Sequence, residues 1–261
     1  MIKKRLMGVV TVKNGWAVQS IGYKRYLPLG KPECLIENLD RWGADEILLQ
    51  VIDRSVNGKP PDFGLLERVA SLGLGTPLIY AGGIRSVNDG VRAIQTGADR
   101  LVLDSVLHDD LDAVRGLSER LGAQAIIAGL PLSWNGDRIV WLDYRTGGAS
   151  AISAEIVELA ESGIVSEMLI IDWNHEGCRD EFEQCLVRNL PVVNVPLIVF
   201  GGISDSSQMI ELLEIESVTA IAVGNFLNYR EHAIQKIKED LLAMPLRAPV
   251  YQSKYAPESN V

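Results

Sequence analysis

Short apolar runs alternate along the chain with segments of helical spacing. Arg5 to Val12 is a nearly unbroken apolar stretch and predicts a first strand, ending at Thr11. Lys13 to Pro32 reads as a polar, aromatic loop containing Lys24, Arg25 and Tyr26. Cys34 to Trp42 places Leu35, Ile36 and Leu39 on one helical face. Glu46 to Ile52 predicts the second strand, ending near Asp53, and Phe63 to Ser71 a helix. Leu78 to Tyr80 is the third strand, followed by a helix over Val87 to Thr96. Arg100 to Leu103 is the fourth, ending at Asp104-Ser105, with a helix over Leu111 to Leu121.

The second half repeats the pattern. Ala125 to Gly129 is a strand ending near Pro131. A hairpin insert follows, with its turn at Trp134 to Asp137 and its second arm at Ile139 to Leu142. Then come a helix over Ala154 to Ser162, a strand over Glu167 to Ile171 ending at Asp172, and a helix over Glu181 to Leu190. Pro196 to Phe200 is a strand, Ser207 to Leu213 a helix, Thr219 to Val223 the last strand and His232 to Leu242 the last helix. Short strands apolar on both faces, alternating with helices, require a parallel sheet covered by helices. Eight such units in about 250 residues fit a closed (β/α)8 TIM barrel, with an open doubly wound sheet as the alternative.

An internal repeat supports closure. Pro77-Leu78-Ile79-Tyr80-Ala81-Gly82-Gly83-Ile84 recurs as Pro196-Leu197-Ile198-Val199-Phe200-Gly201-Gly202-Ile203, 119 positions on. Glu46 and Glu167 pair at 121, and Thr11 and Pro131 at 120. The chain therefore reads as one domain, 1–245, made of half-barrels 1–122 and 123–245, with a polar tail at 246–261. Each Gly-Gly pair lets the backbone approach a ligand, and the helix that follows can direct N–H groups at an anion. Two such units suggest a substrate with a phosphate at each end. A plain tight turn, or a second unit left over from duplication, stays open.

Composition narrows the classes. The 261 residues are 47% apolar and 23% charged, with a formal net charge of −9. That argues against nucleic acid or an anionic membrane as partner. Cys34, Cys178 and Cys185 show no paired spacing, which points to a reducing, cytoplasmic setting. Met1 to Arg5 reads as lead-in to the first strand rather than a signal peptide. His175 and Cys178 have metal-like spacing beside Asp172, but with no second ligand pair no metal is expected. His108 and His232 are expected to face solvent. The tryptophans are packing candidates, with Trp173 also placed to line a pocket.

The chain resembles the histidine-biosynthesis barrel family, most of all the cyclase subunit of imidazole glycerol phosphate synthase. Arg5, Val10-Thr11-Val12-Lys13-Asn14-Gly15, Gly43-Ala44-Asp45-Glu46, the paired Gly-Gly-Ile units, Thr96-Gly97-Ala98-Asp99-Arg100 and Gly224-Asn225 carry the likeness. The resemblance implies a glutaminase at the N-terminal face, with ammonia passing through the barrel to a bis-phosphate at the other face. It implies phosphate contacts at Gly82, Gly83, Asp104, Ser105, Gly177, Gly201, Gly202, Gly224 and Asn225, and no cofactor. It implies an ammonia gate of Arg5, Glu46, Arg100 and Glu167, with Arg100 in place of the usual Lys. A structural ion-pair ring is the plainer reading of those four charges. Asp99, beside the gate, is a candidate docking residue.

Two departures stand out. The family's acid and base are aspartates at the ends of strands one and five, and the matching positions here are Thr11 and Pro131. Neither side chain can exchange a proton near neutral pH unaided. Relocated acids, Asp53 or Asp172, are the candidates for restoring the chemistry. The loop Gln19 to Gly30 is similar to that of barrel paralogues from surface-polysaccharide clusters. Those are thought to supply ammonia for an amido or amidino sugar, with a glutaminase and an ATP-using protein. Three expectations result: an ammonia-channelling subunit serving that pathway, a working cyclase with relocated acids, or a non-catalytic scaffold that activates a glutaminase.

Overall fold

The computed structural model describes residues 3–192 and 194–251. Eight parallel strands close into a barrel: β1 (Arg5–Lys13), β2 (Glu46–Val51), β3 (Leu78–Ala81), β4 (Arg100–Leu103), β5 (Ile126–Trp134), β6 (Glu167–Asp172), β7 (Leu197–Phe200) and β8 (Val218–Val223). Each pairs with the next in order, and β8 pairs with β1 to complete the circle. An open doubly wound sheet is excluded, since such a sheet has two edges.

Alternation along the strands builds two cores. Met7, Val9, Leu48, Ile79, Val102, Ile127, Leu169, Ile198 and Phe200 fill the barrel interior. Leu6, Val10, Val12, Ile47, Leu49, Leu78, Leu101 and their neighbours face outward and pack beneath the helices. The helices start where their sequences say they should. Ser86 accepts from the Asp89 amide at 3.2 Å, and the Asp89 carboxylate accepts from the Arg85 amide at 3.2 Å. Asp62 caps the helix Phe63–Ala70, Asp110 the helix Leu111–Leu121, and Ser153 the helix Ala154–Glu161.

The halves repeat in detail. The Asp45 amide donates to Leu6 O at 3.0 Å, and the Ser166 amide to Ile126 O at 3.0 Å. Gly82 and Gly83 have φ of 124° and 75°; Gly201 and Gly202 have 108° and 69°. A Cβ on Gly82 would lie 2.2 Å from Val51 O at the end of β2. One on Gly201 would lie 2.6 Å from Asp172 O at the end of β6. The Gly pairs are thus required by a backbone crossing above each neighbouring strand.

Several expectations need correction. Lys13 to Pro32 is not a loop: Trp16–Ile21 and Arg25–Gly30 form a hairpin that pairs antiparallel with the end of β1. The insert after β5 has a further short arm, Gly148–Ser150, beside Ile139–Asp143. The helix expected over Glu181 to Leu190 shrinks to Cys185–Arg188. Its first turn is lost because the Glu183 amide is drawn to the Asp172 carboxylate at 2.8 Å. His108 does not face solvent freely; it stacks on Trp141 with centroids 3.8 Å apart. His232 is half-buried between Trp42 and Tyr251. Of the predicted tail, residues 246–251 run back beside the last helix, Ala233–Asp240, where Gln235 donates to Val250 O at 3.4 Å. Its remainder, 252–261, lies outside the described residues, as do Met1 and Ile2.

Candidate active site at the barrel mouth

The strand ends and the two inserted hairpins enclose a cavity of about 510 Å³ above the lumen. Tyr23 and Tyr26 reach it from the first hairpin, Tyr144 from the insert after β5, and Trp173 from the end of β6. Tyr23 stacks on Trp173 with centroids 4.4 Å apart, and Tyr144 lies parallel to the same indole at 5.7 Å. Tyr23 also packs on the interior core, so the aromatic group covers the upper end of the lumen.

Two carboxylates line this cavity. Asp104, just past β4, accepts from Tyr144 OH and from its neighbour's amide, Ser105 N, at 2.6 Å. Burial, and then the Asp104 charge, push the Tyr144 phenol far above its ordinary range, so it stays a donor. Asp53 begins a short helix, Ile52–Val56, and its Oδ1 is buried without a partner. Lys13 lies over the Tyr26 ring, with Nζ 3.5 Å from the centroid.

The first Gly-Gly unit has its second amide engaged. Gly83 N donates to Ser55 Oγ at 3.0 Å, and Ser105 Oγ lies 3.4 Å from the same hydroxyl. The second unit borders a separate depression of about 20 Å³, lined by Thr11, Gly177, Gly201, Gly202, Gly224 and Asn225. There Asn225 clamps the first hairpin, accepting from Ser20 N at 3.2 Å and donating to Ser20 O at 2.5 Å. Glu176, only 3% exposed, accepts from Ser20 Oγ at 2.9 Å and Tyr23 N at 3.0 Å. Burial pushes its carboxyl up, against those hydrogen bonds.

The structure separates the other predicted residues. Thr11 is buried, with Oγ1 3.5 Å from Gln50 Oε1. Pro131 lines the large cavity in register with Ile171. β4 has ended its pairing with β5 at Ala128, so the missing N–H of Pro131 breaks no β4 bond. Asp172 is 1% exposed, and its Oδ2 meets His175 Nδ1 at 2.7 Å and accepts from Glu183 N at 2.8 Å. It organises the loop after β6 and is not among the residues that line the cavity. Lys24 and Arg25 are exposed at the hairpin turn, outside the cavity lining.

At the opposite end, Arg5, Glu46, Arg100 and Glu167 do meet. Arg5 bridges Glu46 at 3.1 Å and Glu167. Arg100 bridges Glu46 at 3.1 Å and Glu167 at 2.6 Å. Arg100 is further fixed by Gln124 O at 3.0 Å and Ser166 Oγ at 2.9 Å. The two carboxylates differ. Both arginines share Glu46 Oε1, and Glu46 Oε2 is buried with no partner. Burial pushes the Glu46 carboxyl up, and the arginines only partly offset it. Burial also opposes charge on Glu167, but the Arg5 hydrogen bond and charge, with Arg100, outweigh it and hold that carboxyl low.

Comparison with known proteins agrees with this frame. A family model described as "Histidine biosynthesis protein" matches residues 5–233. The chain belongs to the histidine biosynthesis protein family. It is 29% identical over 230 residues to imidazole glycerol phosphate synthase subunit HisF of Exiguobacterium sibiricum, covering 87% of this chain and 91% of that one. It is 28% identical over 243 residues to the same subunit of Staphylococcus aureus strain Newman, covering 92% and 96%. This histidine biosynthesis barrel is a cyclase-like family member over most of its length.

Several residues at its mouth had no sequence signal. Tyr144 and Glu176 lie in irregular segments, and nothing in their spacing tied them to Asp104 or to the first hairpin. Gln50, Ser55 and Tyr23 could have been found from strand-end position alone, once the hairpin was recognised. Trp173 was found that way.

Proposed function

We propose that this family member is the ammonia-accepting barrel subunit of a glutamine amidotransferase system. It no longer closes a ring through the two aspartates of its relatives, and it serves amido- or amidino-sugar formation for a surface polysaccharide. The supporting observation is a contrast between the ends. The four-charge ring at the bottom is complete, while the positions matching the family's acid and base hold Thr11 and Pro131. A glutaminase would dock on the lower face around the ring. Asp99, exposed there with Oδ2 accepting from Leu78 N at 2.7 Å, would sit at the edge of that contact. An ATP-using partner would draw ammonia from the upper mouth.

The test mixes the full chain with its glutaminase and follows two readouts. One is glutamine hydrolysis; the other is turnover of the imidazole glycerol phosphate synthase substrate with glutamine or ammonia. Stimulated hydrolysis without ring closure is the expected result, and it includes the scaffold case, in which no barrel product forms with any acceptor. Ring closure at a rate typical of the relatives overturns the proposal.

A second reading keeps the cyclase with a relocated acid. Asp53 favours it, because this residue lines the same cavity as Pro131. Asp53→Asn in an active enzyme would then lower kcat by about 10²–10⁴-fold, the usual worth of a general acid or base.

A further inference from the structure

The first hairpin has two unlike sides. Tyr23 and Tyr26 turn inward and line the large cavity. Arg25 and Leu27 flank Tyr26 in the arm Arg25–Gly30, so alternation turns them away from that cavity. Leu27 is 40% exposed, Leu29 36%, and Trp16, which opens the companion arm, 54%. Ala17 is paired with Gly30, so Trp16 stands at the same end of the hairpin as Leu29. Trp16 also walls a groove of about 570 Å³ with Lys31, Glu33 and Arg68, between the hairpin and the helices Pro32–Arg41 and Phe63–Ala70. Single exposed apolar side chains need no explanation, but three on the paired arms of one hairpin make a patch.

The charge around this patch has one sign. Residues 13–31 carry Lys13, Lys24, Arg25 and Lys31 and no acidic residue, in a chain of formal net charge −9. Lys24, Arg25 and Lys31 are exposed, and Glu33 in the groove is bridged by Arg68 at 2.7 Å. Two copies meeting hairpin to hairpin would set these cations against one another. The arm's outer edge is unpaired among the described residues, but Pro28 removes a donor from the arm, which disfavours addition of a further strand. An anionic membrane would be repelled by the rest of the chain, which holds every acidic residue. An acidic protein face meets none of these obstacles. Tryptophan and arginine beside apolar side chains are also what protein interfaces concentrate.

We propose that the outer side of this hairpin docks the ammonia-consuming, ATP-using partner through an acidic face with an apolar centre. Trp16, Leu27 and Leu29 are the apolar anchors, and Lys24, Arg25 and Lys31 form the rim. Tyr23 and Tyr26 reach from the same hairpin into the cavity, so a partner seated there stands beside the mouth from which ammonia would leave. The inference deepens the proposed function and rests on that reading for the identity of the partner. The surface itself stands on exposure and charge.

Light scattering and calorimetric titration of the full chain with the ATP-using protein, with and without the glutaminase, test it. A complex should form, and its affinity should fall as salt rises. Leu27→Asp and Trp16→Ala should each weaken it about tenfold or more, the loss expected for central interface anchors. Lys24→Glu combined with Arg25→Glu should slow association and flatten the salt dependence. Asp112→Asn, whose parent side chain is 95% exposed on the helix Leu111–Leu121, should leave the affinity unchanged. Should a hairpin variant fail to fold, the salt dependence of the parent complex reads the charged rim without any substitution. No complex, a complex indifferent to salt, or hairpin variants that all bind with parental affinity overturn the proposal. A parent chain that dimerises through this patch would assign it to a second copy, and one that binds phosphatidylglycerol vesicles through it would assign it to a membrane; either result overturns the proposal. A hairpin-dependent complex without glutaminase activation would keep the docking surface and remove the proposed function; glutaminase activation without a complex would do the reverse.

Discussion

At the lower mouth of the barrel, two arginines and two glutamates meet and largely saturate one another. At the upper mouth, Asp104 is held by Tyr144 while Asp53 keeps a buried oxygen with no donor. The lower charges sit on strand starts, where the parallel ladder fixes their spacing. The upper ones sit on a short helix and a strand end, positioned by loops. Charge on the rigid layer is paired with charge, whereas on the loop layer Asp104 is held by a phenol and an amide. The lower ring also carries one blemish, the unpartnered Glu46 Oε2, because both arginines converge on Oε1.

The largest effect should come from breaking the ring. Arg100→Ala leaves Arg5 as the one cation beside Glu46 and Glu167, both residues more than 90% buried. Removing one member of a buried pair costs about 3–5 kcal/mol, which urea unfolding would read directly. Asp53→Asn, by contrast, should cost little stability, because it removes no protein partner. Equal losses at both ends would erase the distinction.

The next effect probes the repeat. Gly82→Ala puts a methyl group 2.2 Å from Val51 O at φ 124°, and Gly201→Ala puts one 2.6 Å from Asp172 O at φ 108°. Strain of this kind costs about 1–3 kcal/mol, and the Gly82 variant should melt at the lower temperature. The reverse order would show that the loop after β6 is the stiffer one.

A smaller effect separates the two glutamates by pH. Glu167 is held low in the folded state, so its stabilisation is present above the unfolded carboxylate range and lost as pH falls through its folded value. Glu167→Gln should therefore be less stable than the parent at neutral pH, with the gap closing in acid. Glu46 is pushed up, so its charged form opposes folding once pH rises through the ordinary carboxylate range. Glu46→Gln should lose less at neutral pH. Thermal melts from acid to neutral pH check both slopes, and parallel curves would contradict the asymmetry.

The last is Tyr144→Phe. Loss of its hydrogen bond to Asp104 should cost about 1.5–3 kcal/mol at most, the range for a bond to a charged group. Alkaline absorbance titration of the parent should show Tyr144 still protonated after the exposed phenols have ionised, since burial holds it high.

Legibility followed the same division between strand layer and loop layer. The helices Val87–Thr96 and Leu111–Leu121 and the strand Arg100–Leu103 were readable to the residue. Their periodicity, Ser86 and Asp110 caps and flanking glycines agree. The Trp16–Gly30 hairpin was not readable, because its pairing is with β1 and its exposed arm, with Leu27 and Leu29 outward, lacks strict alternation. The lower ring was found through strand-start positions and resemblance. Of the aromatic group at the mouth only Trp173 was found, since Tyr23 and Tyr144 come from two separate inserted hairpins.

By itself the sequence determined a helix-covered parallel sheet with a twofold repeat, because eight short apolar runs must be buried on both faces and the two Gly-Gly units mark matching halves. Tertiary structure alone decided what stands above the barrel. Ser55 on the Gly83 amide, Tyr144 on Asp104 and the lone oxygen of Asp53 depend on how hairpins and loops fold back, and that folding is set by contacts far apart in the chain.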